Sequence, residues 1–385
     1  MTFRPFALLL AAALPLAAAP EELRLPTGND ALFNNQPEKF YMYVNRNFEG
    51  QSTQAWEGGC YGFVRSPVRL PSGEVVLTKF HEGIDIAPMQ RDKAGNPLDT
   101  ITSIADGTVA YVSPVAGQSN YGKYVVVEHR WDDCSVYSIY AHLSEITCKP
   151  GDAVTAGAKL GQMGFTGAGI DRPRAHVHLE IVMKFSDRYE DWNKFVGGGK
   201  NHHGNFNGMN FTGADAAKFF LERKANPSLT FREFVTSQPV QFKVAVPSRG
   251  IPDMAKRYPW MVQGDPAKAT SWEISFTATG QPSAFIASER KVAAPLVTFV
   301  RPAAIPQTYL TRGLLTGQGE TASLSHSGKQ LVALVSDDFP VAPPEAVTAS
   351  TPSGSTAKPD VARPKTPKAK AKPAAANPPA KPARS

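Results

Sequence analysis

The chain is poor in cysteine. Its 385 residues include three, Cys60, Cys134 and Cys148. So small a set excludes a fold held by a disulfide framework, and the odd number leaves at least one thiol without a partner in the chain. Cys134 and Cys148 flank the run "SVYSIYAHL". Fully extended, that run would hold them roughly 25 Å apart, beyond the reach of a disulfide. They can pair only if the chain doubles back through "SEIT". Long apolar runs are also missing. After the first twenty residues none is long enough to cross a bilayer, so no transmembrane segment is expected. Net charge is confined to one place. The formal net charge is +7, and residues 351–385 account for it with eight cations against Asp360. The rest of the chain is neutral overall, and no nucleic-acid partner is expected. No repeat of solenoid period is found either.

The segments that are present divide the chain into four. The opening "MTFRPFALLLAAALPLAAAP" has a cationic start at Arg4, an apolar run from Phe6 and small residues at Ala17, Ala18 and Ala19. It is short and interrupted by Pro15, which is the layout of a secretory signal peptide over residues 1–19. Export to the periplasm, the cell envelope or the medium follows. Proline and glycine are abundant, at 33 and 31 residues, and favour turns and short strands over long helices. Residues 25–225 read as one antiparallel β domain, with "TVAYVSP", "KYVVVEHR", "SVYSIYAHL", "DAVTAG", "KLGQMG" and "HVHLEIVMKF" as strands and "ADAAKFFLERKA" as a closing helix. Residues 226–340 are again strand-rich. "VQFKVAVPS", "SWEISFTATG", "SAFIASE", "LVTFVRP", "TYLTRGLL", "TASLSHSG" and "QLVALVSDD" predict a smaller β-sandwich-like domain. Residues 341–385 are rich in Ala, Pro and Lys and cannot bury enough apolar surface to fold, so a disordered basic tail is expected.

Histidine carries the chemistry. Five of the eight histidines fall between Phe80 and Leu179. "HEGID" sets His81 and Asp85 four apart across Gly83. "YAHL" places His142 at the end of a strand. In "HVHLE", strand alternation points His176, His178 and Glu180 to one side and Val177, Leu179 and Ile181 to the other. Zinc takes imidazole nitrogen and carboxylate oxygen, and a catalytic site uses three protein ligands. Taken alone, a His–x–His pair is more often incidental than metal-binding. His129, after "YVVVE", reads as a strand-end residue, and His202 and His203 as part of a solvated glycine-rich loop. His326 has no obvious partner.

All three motifs occur together and in order, and there the chain resembles the lysostaphin- and LytM-type zinc metalloendopeptidases. That family's pattern is His–x–Gly–x–Asp, then Tyr–x–His–Leu, then His–x–His. The resemblance covers residues 59–184, with "YGFVRSP", "ITSIADGTVAYV" and "KPGDAVTAGAKLGQMGFTG" as matching connections. It implies a mainly β fold with an antiparallel peptidase sheet. It also implies one zinc ion held by His81, Asp85 and His178, with His142 and His176 as the catalytic histidines. Glu180 would then orient a ligand ring, or stand exposed on the strand. The implied reaction is hydrolysis of peptide cross-links in bacterial peptidoglycan by attack of a metal-bound water, the partners being peptide stems or cross-bridges. The alternatives are a non-enzymatic cell-wall-binding activator of other hydrolases and a secreted metallopeptidase acting on proteins. The link "AGIDRPRA" departs from the family's shorter one and brings Arg172 and Arg174 towards the groove. The basic tail suits anionic envelope polymers or a passive spacer.

Overall fold

The structure is a computed structural model, and it describes residues 22–341. The signal-peptide reading and all but the first residue of the expected tail lie outside the described residues.

A seven-stranded sheet forms the first half. Its order is Ala153–Val154, Gly107–Ser113, Tyr124–Trp131, Cys134–Ala141, Val177–Lys184 and Phe211–Ala214, and Ile84–Ile86 pairs beside the start of Val177–Lys184. Every pairing is antiparallel. The β-branched run Val125, Val126 and Val127 explains the centre of this sheet, because such side chains pack well on a pleated, covered surface. Both faces are covered. Val125, Val127, Val177, Leu179 and Ile181 face the main core, which includes Phe219 and Phe220 of the helix Ala216–Ala225. That helix starts where expected, with the Asp215 side chain accepting from the backbone N–H of Lys218, so one of its first-turn donors is satisfied. On the other face Tyr124, Val126, Tyr137, Ile139, Ala141, Val182 and Phe211 form a smaller cluster.

The second half has one five-stranded sheet where a sandwich was expected. Its order is Val262–Gln263, Pro282–Ser288, Ser271–Thr277, Val240–Pro247 and Leu296–Val300. The run "QLVALVSDD" is not a strand. It lies in the helix His326–Ser336, capped by Ser325 accepting from Gly328 and ended by Asp337 in the left-handed conformation. The apolar residues Val332, Leu334 and Val335 are buried on it. The cap and the left-handed stop outweigh the strand preference of valine. "TYLTRGLL" likewise divides into a short helix, Gln307–Leu310, and the two-residue strand Leu315–Thr316.

Residues 226–340 do not stand apart from the peptidase half. The described residues belong to one compact unit, and Phe242, Trp272, Ile274 and Phe276 share a continuous apolar core with Phe219, Ile181 and Leu179. Polar contacts fasten the halves. Tyr258 Oη donates to Ser135 O at 2.8 Å and accepts from the N–H of Lys184 at 3.0 Å. Trp192 Nε1 donates to Gln330 O at 2.9 Å. The three cysteines are all free. No helix among the described residues is long and apolar enough to cross a membrane.

Candidate metal centre

The strand Val177–Lys184 is the axis of the site. Its register sets His178 opposite Asp85 on one side and opposite Ala141 on the other. His81 ends the strand Val75–His81, and the chain turns sharply through Glu82 and Gly83 into Ile84–Ile86. The turn needs glycine. A Cβ at position 83 would collide with Leu179 O and come within 3.0 Å of His178 Nε2. The motif glycine therefore lets Asp85 and His81 close on the same point. His142 follows Cys134–Ala141 with φ of 66°, a left-handed backbone that non-glycine residues seldom adopt. It is held there by its N–H donating to Tyr121 O at 2.8 Å, and the bend turns its ring towards His176.

Three ligand-type atoms meet. Asp85 Oδ1 lies 3.0 Å from His81 Nε2 and 2.9 Å from His178 Nδ1, and the two nitrogens are 3.1 Å apart. Tetrahedral zinc with its usual bond lengths would space its ligands roughly 3.3 Å apart. The trio matches one face of that tetrahedron with little adjustment. The rings are oriented from behind. His81 Nδ1 faces Cys60 O at 2.7 Å, and His178 Nε2 faces Glu180 Oε1 at 2.9 Å. A carbonyl or carboxylate oxygen only accepts, so each of those nitrogens carries the proton and leaves the other nitrogen's lone pair for a cation. Arg65 Nη2 holds Asp85 Oδ2 at 2.6 Å, which leaves Oδ1 for the site. Tyr121 Oη donates to Glu180 Oε1 at 2.5 Å.

Electrostatics favour a cation at the same place. Burial alone would raise the Asp85 pKa, but His81, His176 and His178 hold it well below the usual carboxylate range. Burial opposes a charge on His178, yet hydrogen bonds to Asp85 and Glu180 push its pKa up to about 10. The two carboxylates thus favour positive charge at this point, which a bound metal would supply.

His176 and His142 lie on the same side. His176 Nε2 is 3.3 Å from Asp85 Oδ1, and the two rings meet edge to face with centroids 4.8 Å apart. Their Nδ1 atoms face Arg174 O at 2.6 Å and Thr166 O at 2.9 Å, so a singly protonated ring at either position carries its proton on Nδ1 and turns Nε2 to the site. Burial and the neighbouring His176 and His178 hold the His142 pKa well below its ordinary value.

Residues 79–190 match the model for peptidase family M23. That segment resembles peptidase family M23. A 65-residue stretch is 48% identical to a protein of Neisseria meningitidis serogroup B, spanning 17% of this chain and 10% of that relative. Among solved structures, the catalytic domain of the prophage-encoded M23 protein EnpA from Enterococcus faecalis is 24% identical over 36% of this chain and 79% of that one, with a TM-score of 0.23. The catalytic domain of lysostaphin from Staphylococcus simulans is 22% identical over 40% and 85%, also with a TM-score of 0.23.

The M23 segment thus brings His81, Asp85, His142, His176, His178 and Glu180 together, all at most 7% exposed. Glu180 is buried against His178 rather than exposed. Four partners were not singled out from sequence: Arg65, Tyr121, and the carbonyls of Cys60 and Thr166. Arg65 and Tyr121 stand in "YGFVRSP" and "SNYGK", where nothing local tells which distant side chain each will meet, and a carbonyl carries no residue signal. His129 is not at a strand end. It is buried within Tyr124–Trp131, between Asp106 O at 2.8 Å and Ser138 Oγ at 2.7 Å. His203 is not solvated either. It is buried, with Nδ1 3.0 Å from Tyr111 Oη and Nε2 3.1 Å from Gln118 O. It pins the glycine-rich loop over the smaller cluster, where Phe206 stacks on Tyr111. His202 beside it is exposed. Arg172 is bonded to a neighbouring loop, its Nη1 on Ala94 O at 2.9 Å.

Proposed function

We propose that the protein is an exported, zinc-dependent endopeptidase that hydrolyses peptide cross-links of bacterial peptidoglycan. The observation that carries this reading is the face of ligand atoms from His81, Asp85 and His178, with two further histidines turning Nε2 to the same side. The donor set of two imidazoles and one carboxylate suits zinc, and one position remains open to a reactant. Bound there, zinc would polarise the scissile carbonyl as a Lewis acid.

The chain's own groups supply the rest. His176 and His142 turn Nε2 towards the site, so one of them would take the proton of the attacking water and, once protonated, pass that same proton to the departing amine, while the other orients the water. The carbonyls of Arg174 and Thr166 keep both rings in the tautomer this requires. Arg65 and Glu180 hold Asp85 and His178 in place, so the ligand geometry is set before substrate arrives. The leader at residues 1–19 would direct the chain to export, into the periplasm, the cell envelope or the medium. The basic tail would keep it near anionic envelope polymers.

The test is digestion of purified sacculi with the zinc-loaded protein and mass spectrometry of the released muropeptides. Cleaved cross-links that vanish on chelation and return with zinc are expected. Intact cross-links in the presence of protein holding one zinc per chain would overturn the reading.

A further inference from the structure

His81 stands on weaker support than the other two ligand positions. Asp85 and His178 lie on Ile84–Ile86 and Val177–Lys184, which belong to the seven-stranded sheet. His81 ends Val75–His81, which forms a separate two-stranded ribbon with Gly62–Arg69. Such a ribbon is marginal by itself, and Val68, Val75 and Leu77 are exposed along it. Arg65 ties the partner strand to Asp85, and the end that carries His81 needs a hold of its own. One residue of the second half touches both chain neighbours of His81. Arg312 sets its guanidinium over the Phe80 ring, 4.3 Å from the centroid, and its Nη2 pairs with Glu82 Oε1 at 3.2 Å. The rings of Tyr61 and Phe63 meet Phe80 edge to face, with centroids 5.2 and 5.5 Å away.

Arg312 is itself held. Its φ of 56° is left-handed, a conformation that costs free energy in a non-glycine residue and persists where the surroundings impose it. Its neighbours anchor the loop. The buried Thr311 donates from Oγ1 to Gln307 O at 2.7 Å and accepts there from the N–H of Leu315 at 3.1 Å. The N–H of Gly313 donates to Thr308 O at 2.9 Å. Arg312 Nη1 donates to Thr279 O at 3.3 Å, and Tyr61 Oη donates to Thr279 Oγ1 at 3.3 Å. The guanidinium, Phe80 and Tyr61 thus share one fixed corner. We propose that Arg312, which lies outside the matched residues 79–190, is a positioning residue of the metal centre. By gripping Phe80 and Glu82 it fixes the chain on both sides of His81 and sets that ring against Asp85 and His178. The second half of the protein is then part of the centre rather than an appendage to it. This deepens the function proposed above and rests on its metal reading.

The experiment compares the full-length protein with Arg312→Asn, Arg312→Lys, Glu82→Gln and the double variant Arg312→Asn/Glu82→Gln. Asparagine tolerates the left-handed backbone, so the guanidinium is removed without straining the loop. Zinc affinity is read by chelator competition, and the geometry of the centre by the visible absorption of cobalt(II) bound in its place. All proteins are compared at a temperature where their metal-free forms are folded. A cation–π contact and a partly exposed ion pair are each modest, so Arg312→Asn is expected to bind zinc about fivefold more weakly. Its cobalt bands should shift. Arg312→Lys keeps the charge and should recover part of the affinity. Glu82→Gln should cost nothing further in the Arg312→Asn background. Arg249→Ala, which removes a pair with Asp338 at 2.9 Å elsewhere in the second half, should bind as the parent does. Parental affinity and spectrum in Arg312→Asn, fully additive losses in the double variant, or an equal loss in Arg249→Ala overturns the proposal while the metal reading stands. A parent that binds neither zinc nor cobalt overturns the metal reading, and the proposal with it.

Discussion

Acid should destabilise this fold through His129, by an amount the structure allows one to work out. His129 is fully buried in the central strand Tyr124–Trp131 and bonded to Asp106 O and Ser138 Oγ. Burial is the largest influence, and it pushes the pKa down to about 4 from its ordinary 6.5. Between those values the unfolded chain binds a proton that the folded chain refuses. Stability therefore rises with pH across that window: the contribution is complete above about 6.5 and is lost as pH falls to 4. Each pH unit within the window is worth about 1.4 kcal/mol, so roughly 3 kcal/mol disappears between pH 7 and pH 4. Other carboxylates titrate there too, and acid weakens metal binding, so the measure is a difference. Urea unfolding of the parent and of His129→Gln at pH 7 and pH 4 should show the parent losing about 3 kcal/mol more than the variant. Equal losses would refute the assignment of a neutral, buried His129.

Two further substitutions probe the site's support. Glu180→Gln keeps an oxygen acceptor for His178 Nε2 but removes the charge, and chelator competition should show zinc affinity down by about tenfold or more. Unchanged affinity would mean that Glu180 does not orient the ring. Gly83→Ala drives a methyl into Leu179 O and His178, so melting should fall by the equivalent of about 1–3 kcal/mol, with zinc binding weakened alongside. A variant with parental melting and zinc affinity would show that the close approach is not needed.

Much of the centre was legible because its residues announce themselves by type and period. "HEGID", "YAHL" and "HVH" name His81, Asp85, His142, His176 and His178, and strand alternation already put Glu180 on the ligand side. The strands around them were legible for the same reason, since β-branched alternation is a local signal. What escaped was non-local. Arg65 reaches Asp85 across twenty residues, and Tyr121 reaches Glu180 across fifty-nine. The helix His326–Ser336 was misread because valine-rich periodicity over six residues does not separate strand from helix, whereas Ser325 and Asp337 at its ends do. The single core joining both halves was invisible for a related reason. A buried face reads the same in sequence whether it packs against its own domain or its neighbour.

The most direct test pairs zinc content with hydrolysis in two variants. His176→Ala should retain about one zinc per chain and lose cleavage of sacculi, because the ligand trio stays intact while a proton-moving nitrogen is removed. Asp85→Ala should lose both metal and cleavage. Full hydrolysis by His176→Ala, or a full complement of zinc in Asp85→Ala, would contradict the account of this site.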